Sequence, residues 1–171
     1  MHHMSFSVSN VDVPRSAGGV LHVPPSEGLT KWVSGDIYSI KATRHQTNGS
    51  FAFIDAIVPP GGGPIAHAHT DEDEAFFLID GELEFLDGDR TFVAEQGSFL
   101  FIPRGSRHRF KNIGDTDVRT LFMFTPGGPE DLFVEGGDEP VPGGKPVVWD
   151  MDKVMSLADI VQRTKLQVLP E

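Results

Sequence analysis

Three histidines and one glutamate stand at spacings that can bring four ligating atoms to one point. His67 and His69 flank Ala68, Glu74 follows five residues on, and His108 lies farther along the chain. In a strand, residues i and i+2 share a face, so both imidazoles can reach one centre. Glu74 opens an apolar run after the polar tip 70–73, and an antiparallel neighbour would set it beside the histidines. His108 begins another strand behind the turn Pro103-Arg104-Gly105. Three imidazoles and a carboxylate form a mixed nitrogen–oxygen donor set. It suits Fe(II), Mn(II), Ni(II), Co(II) or Zn(II) and is poor for Ca(II) or Mg(II). A six-coordinate metal on four protein ligands would keep two positions open for substrate or dioxygen. Asp71, Glu72 and Asp73 read as a solvated tip, and His22 and His45 as ordinary surface or core residues.

The elements that must position these groups are short strands. The stretches DIYSIKATR and SFAFIDAIV flank Thr47-Asn48-Gly49, an Asn-Gly hairpin signal. Further strands are expected over 65–69, 74–80, 82–86, 90–94, 98–102, 107–113 and 118–125. Turn residues join them, among them Asp80-Gly81, Asp87-Gly88-Asp89, Gln96-Gly97 and Gly114-Asp115. About nine strands at roughly 8–12-residue spacing, with no helix between them, predict an all-β sandwich or barrel. A parallel α/β sheet is excluded, because nothing could serve as its crossover helices. After Thr125 the chain turns to Pro/Gly-rich loop with one helical turn at 129–134. Val154, Leu157, Ile160 and Val161 then follow a helical period, predicting one helix over 150–165. The expected division is an arm over 1–35, a β-barrel over 36–126, and a loop and helix over 127–171 packed on the barrel.

Composition bounds the partners. A net charge of −11 argues against nucleic acid and against an anionic membrane surface. With no cysteine there is no disulfide framework and no thiol nucleophile. No apolar run approaches the ~20 residues of a membrane span, so a cytoplasmic protein is expected. The opening MHHM reads as a tag remnant with Met4 as the native start, so His2 and His3 are set aside. Phe occurs 13 times and Tyr once, which suggests a pocket or interior lined by rings without hydroxyls. Phe76 and Leu78 share strand parity with Glu74, and Phe110 with His108. These three and Phe53 are the candidate substrate pocket. Phe77, Ile79, Phe99 and Phe101 fit either sandwich core or a dimer contact. Gly61-Gly62-Gly63 is no phosphate loop, because no Gly-Lys-Ser/Thr follows.

Two spacing patterns carry a resemblance. The first is Gly61, five residues, His67-x-His69, four residues, Glu74, six residues, Gly81. The second is Gly97, five residues, Pro103-x-Gly105, two residues, His108, three residues, Asn112, with 15 residues between the two sets. They resemble the two signature motifs of the cupin superfamily. The resemblance implies a jelly-roll barrel, or double-stranded β-helix. It also implies one divalent transition metal per chain on His67, His69, Glu74 and His108, no organic cofactor, and a homodimer. FFLIDGELEF, FIPRGSRHRFKN, a PEDLF turn and a closing LQVLP look like bacterial single-domain quercetinase-like cupins. That likeness implies a dioxygenase that opens a flavonol or similar enolisable aromatic ketone with O2, Glu74 serving as ligand and general base. Similar single-domain cupins are cyclases or isomerases of polyketide-like carbonyl substrates, in which the metal polarises a carbonyl. A non-catalytic small-molecule binder is the third possibility.

Overall fold

The computed structural model describes residues 19–171. The tag-like opening and the first part of the expected arm lie outside the described residues. Among the described residues, eleven strands form two antiparallel sheets. The first sheet contains β1 (Leu29–Val33), β2 (Asp36–Ala42), β3 (Ala52–Val58), β10 (Val118–Thr125), β5 (Asp73–Asp80) and β8 (Phe99–Ile102), hydrogen-bonded in that order. The second runs β11 (Leu166–Val168), β4 (His67–His69), β9 (His108–Lys111), β6 (Leu83–Asp87) and β7 (Arg90–Ala94). This is the all-β architecture expected from the turn spacing, in the jelly-roll form that the resemblance implied. Among the described residues, no helix is long and apolar enough to cross a membrane.

Period-2 alternation decides which side chains enter the core. Tyr38 and Ile40 of β2, Ile54 and Val58 of β3, Phe76 and Leu78 of β5, and Phe122 and Phe124 of β10 all point inward. Phe85 and Phe110 meet them from the second sheet. Phe76 is central: its ring stacks on Phe122 at 5.2 Å and stands edge-on to Phe85 and Phe110 at 5.3 and 5.5 Å. Opposite parity puts Phe77, Phe99 and Phe101 on the outside, where they are exposed. Gly63 shows a backbone requirement. At φ +121°, any side chain there would collide with the Phe110 carbonyl, so the loop can lie against β9 only as glycine. Asn112 locks the same corner by donating to Val58 O at 2.8 Å and Thr116 O at 2.7 Å.

The chain departs from expectation at both ends. Residues 29–33, assigned to the arm, are a strand paired along its whole length with β2. The single C-terminal helix is two: α2 (Met151–Ser156) and α3 (Ala158–Arg163), following α1 (Glu130–Gly136). The break falls at Leu157, whose backbone leaves helical geometry (φ −98°, ψ 11°) while its side chain packs against Gly136. Continuing the helix would forfeit that buried contact, so packing overrides the local helical period. Strand β11 was also unforeseen, because three residues carry no readable alternation.

Asp36 opens β2 with its side chain inward and fully buried. Burial pushes its carboxyl from an ordinary 3.8 to about 8, against the opposing pull of hydrogen bonds from Tyr38 and the Gly63 backbone. Between those values the folded chain keeps a proton that the unfolded chain has lost. Stability therefore falls as pH rises from about 4 to about 8. Asp36→Asn, neutral at every pH, is expected to abolish that slope in urea midpoints measured across the range. At the core, Phe76→Ala is expected to cost about 3–5 kcal/mol in urea unfolding. Val147→Ala, at a position 73% exposed, should stay within about 0.5 kcal/mol of wild type.

Candidate metal centre

The four ligand candidates come from both sheets and meet. His67 and His69 are the ends of β4, and register pairs His67 directly with His108 at the head of β9. Glu74 enters from β5 in the other sheet. One ligating atom from each residue lies within 4.8 Å of every other, and the rings of His67 and His108 are 4.4 Å apart. Glu74 Oε2 stands 2.8 Å from His108 Nε2 and 3.3 Å from His69 Nε2.

Backbone carbonyls orient two of the imidazoles. His67 Nδ1–H donates to Ile65 O at 2.7 Å and His108 Nδ1–H to Ser106 O at 2.9 Å. A carbonyl can only accept, so each bond fixes the proton on Nδ1 and turns the Nε2 lone pair toward the centre. His69 stands against Phe124, ring centroids 4.9 Å apart, and neither of its buried ring nitrogens has a hydrogen-bond partner. Leaving such nitrogens unpaired is costly.

Titration follows from burial and from neighbours. Burial lowers His67, and His108 and His69 lower it further, to about 3, so it stays neutral at working pH. Burial pulls His108 down too, but the hydrogen bond and charge of Glu74 outweigh it and hold the ring above its ordinary value. Glu74 is pushed up by burial and pulled down harder by His108 and His69, so it remains a carboxylate well below the usual range. The neutral imidazole of His67, one ionised carboxylate and the orphaned buried nitrogens of His69 at a single point fit a divalent transition metal on mixed donors, which would displace the proton that His108 shares with Glu74.

The acidic tip is less solvated than expected. Asp71 pairs with Lys165 at 2.6 Å and Asp73 with Arg104 at 3.1 Å. Glu72 is buried, and its Oε2 has no partner. None of the three joins the ligand cluster.

The centre forms one wall of a largely apolar cavity. At about 110 Å³, where one water needs about 10–15 Å³, it admits a small organic molecule rather than a lone solvent molecule. Phe76 and Phe110 line it. Leu78 and Phe53 do not. Leu78 faces the same side as Glu74 but sits farther along β5, sealed in the core. On β3 the inward residues are Ala52, Ile54, Ala56 and Val58, so Phe53 faces outward, into a separate open groove with Leu21 and Val23. Sequence reasoning missed Tyr38, Phe122, Phe133 and Trp149, and the closing wall of Leu157, Val161, Leu166 and Val168. The parity of Phe122 on its strand was a usable signal. The closing wall had none.

That wall is tied to the ligands. Strand β11 pairs with β4, setting Leu166 opposite His69 and Val168 opposite His67. Glu171 accepts from Ala66 N at 3.1 Å and from Arg109 Nε at 2.8 Å. Arg107 Nη2 donates to Pro170 O at 2.7 Å.

Residues 55–124 match the family model of the cupin domain. The chain is 38% identical over 76 residues to Polyketide synthase CurC of Streptomyces cyaneus, covering 44% of this chain and 49% of the relative. It is 32% identical over 93 residues to Protein SchB of Streptomyces halstedii, covering 52% of this chain and 67% of that one. The match thus spans only about half the length of the first relative. Among solved structures, a predicted oxalate decarboxylase from Thermotoga maritima aligns with a TM-score of 0.57. Identity is 23%, and 61% of this chain and 98% of that one are covered, a likeness of fold alone.

Glu74→Ala and His108→Ala are each expected to weaken zinc binding by more than the ~10–100-fold that loss of an outer-shell partner costs, read by chelator competition. His45→Ala, exposed and outside the cluster, should bind zinc as wild type does. Zinc in excess should raise the melting temperature of wild type and leave that of Glu74→Ala nearly unmoved.

Proposed function

The chain belongs to the cupin superfamily, and from that premise we propose that it is a metal-dependent enzyme acting on an enolisable, polyketide-like aromatic ketone by cyclase or isomerase chemistry. One observation carries the reading: a three-histidine, one-glutamate cluster opens on a cavity walled by Phe76, Phe110, Phe122, Phe133 and Trp149. A flat, apolar, ring-bearing substrate suits such walls. The name of the polyketide synthase relative points the same way. Among the described residues no lysine or arginine lines the cavity, so it offers no cationic side chain to a small dianion such as oxalate.

His67, His69, Glu74 and His108 would hold a divalent metal, which when bound would supply Lewis-acid polarisation of a substrate oxygen. The chain supplies the rest. The rings fix the plane of the substrate, and α2, α3 and β11 close the site against water. Glu74, ionised and within the cluster, is placed to accept a proton from the carbon beside the polarised carbonyl. His67 and His108 cannot swing, because their Nδ1 protons are held by backbone.

The donor set also takes Fe or Mn, which favours a second reading, the quercetinase-like dioxygenase. Chain loaded with zinc, iron or manganese would be offered a 1,3-diketone and a flavonol, with and without oxygen. Metal-dependent conversion that proceeds anaerobically and with zinc is the expected result. Conversion that requires both oxygen and a redox metal would install the dioxygenase in its place. Saturable binding with no conversion would make the chain a binder.

A further inference from the structure

Three hydroxyl side chains line the cavity: Ser34, Tyr38 and Thr164. Two are tied to backbone. Thr164 Oγ1 donates to Ile160 O at 2.9 Å, and Ser34 Oγ accepts from Trp149 N at 3.3 Å. Tyr38 differs, because its Oη donates to a carboxyl, Asp36 Oδ2, at 3.1 Å. Asp36 is fully buried, and its other oxygen, Oδ1, has no hydrogen-bond partner.

Glu130 shows how this chain treats a buried carboxylate used only for structure. It is equally buried, and both its oxygens are satisfied, by Arg44 N and Gly128 N at 2.6 Å each. Asp36 is not held in that way. Gly62 packs so close to Oδ1 that any side chain at position 62 would collide with it, which keeps water from that side. Besides the Gly63 backbone, the partner of the Asp36 carboxyl is therefore a residue of the cavity wall, Tyr38. The Tyr38 ring is itself clamped, edge-on to Phe133 at 4.9 Å and to Phe122 at 5.2 Å. The chain carries 13 phenylalanines and this single tyrosine, so the hydroxyl stands out in a wall of plain rings.

We propose that Tyr38 and Asp36 form a proton relay serving the cavity, in which Tyr38 Oη meets a substrate oxygen and Asp36 is the positioning residue behind it. The inference rests on the enolisable-ketone reading. When Glu74 takes the carbon-bound proton, negative charge develops on the substrate oxygen. The Tyr38 hydroxyl, which donates to Asp36 Oδ2 in the structure, turns to the substrate oxygen, and its O–H bond breaks as the substrate O–H bond forms. The proton on Asp36 Oδ2 passes to Tyr38 Oη, leaving Asp36 a carboxylate. Protons and charge balance, no oxidant is needed, and the reverse transfer restores the pair. The burial that pushes the Asp36 carboxyl up to about 8 keeps that proton in place at neutral pH.

Zinc-loaded wild type, Tyr38→Phe and Asp36→Asn would be given benzoylacetone, with enolisation followed by enol absorption. Near-ultraviolet tyrosine absorption, which belongs to Tyr38 alone, would be recorded with and without the probe. The relay predicts a tyrosine band that shifts on probe binding. It predicts kcat lower by about a hundredfold in Tyr38→Phe, the low end of general-acid contributions. In Asp36→Asn, kcat should fall about tenfold with KM and zinc content unchanged. Tyr38→Phe removes only an oxygen atom and keeps the test alive if Asp36→Asn fails to fold. Wild-type kcat in both variants, with Glu74→Ala inactive, would overturn the relay and leave the proposed function standing. No zinc-dependent enolisation in wild type would overturn both.

Discussion

Glu74 and His108 meet at 2.8 Å across the two sheets, Glu74 from β5 and His108 from β9. Both are buried, so the chain withdraws a carboxylate and three imidazoles from water at one point. Replacing such a group with well-packed apolar side chains is often neutral or stabilising, while removing one partner is costly. Stability alone therefore does not account for the cluster. The surrounding structure meets its cost with ordering interactions: backbone carbonyls on two imidazoles, Phe124 against the third, and β4 held between β9 and β11.

Strand β4 has three residues and makes one register pair with β9, His67 with His108. So short a strand has little hold of its own. Its other edge is occupied by β11, and β11 is tied down through Glu171, Pro170 and Lys165. Ligand geometry and cavity closure thus share one strand pair. A change that frees the tail also loosens the histidines.

How far the site was legible follows from the range of the signals. The ligands were legible because parity and turn spacing are local: His67-x-His69 on a strand, Glu74 at the start of the next, His108 after a Pro-x-Gly turn. Phe76 and Phe110 followed by the same parity. Leu78 shares that parity but not the depth, since alternation gives a face and says nothing of position along the barrel axis. Phe53 was misplaced because the inward set of β3 is read from its pairing with β2 and β10, which sequence does not display. Leu157 defeated the helical period because its contact with Gly136 joins segments 21 residues apart. The partners of Asp36 and Tyr38 were invisible for another reason. A buried Asp two residues before a Tyr on a strand looks like any alternating polar position until its unpaired oxygen is seen.

The match to the cupin domain, residues 55–124, contains all four ligands together with Phe76, Phe110 and Phe122. Tyr38 and Val33 lie before it, and Pro129, Phe133, Trp149, Leu157, Val161, Leu166 and Val168 after it. The part of the chain that the family describes therefore builds the metal centre and one side of the cavity. The flanking segments build the rest, including the hydroxyl-bearing ring and the closing wall. Likeness within 55–124 bears on which group is bound by the ligands and hardly at all on what lies over it. The basis of substrate choice has to be sought in the flanks, because a fold carries many sites and the walls of this cavity come largely from outside the matched region.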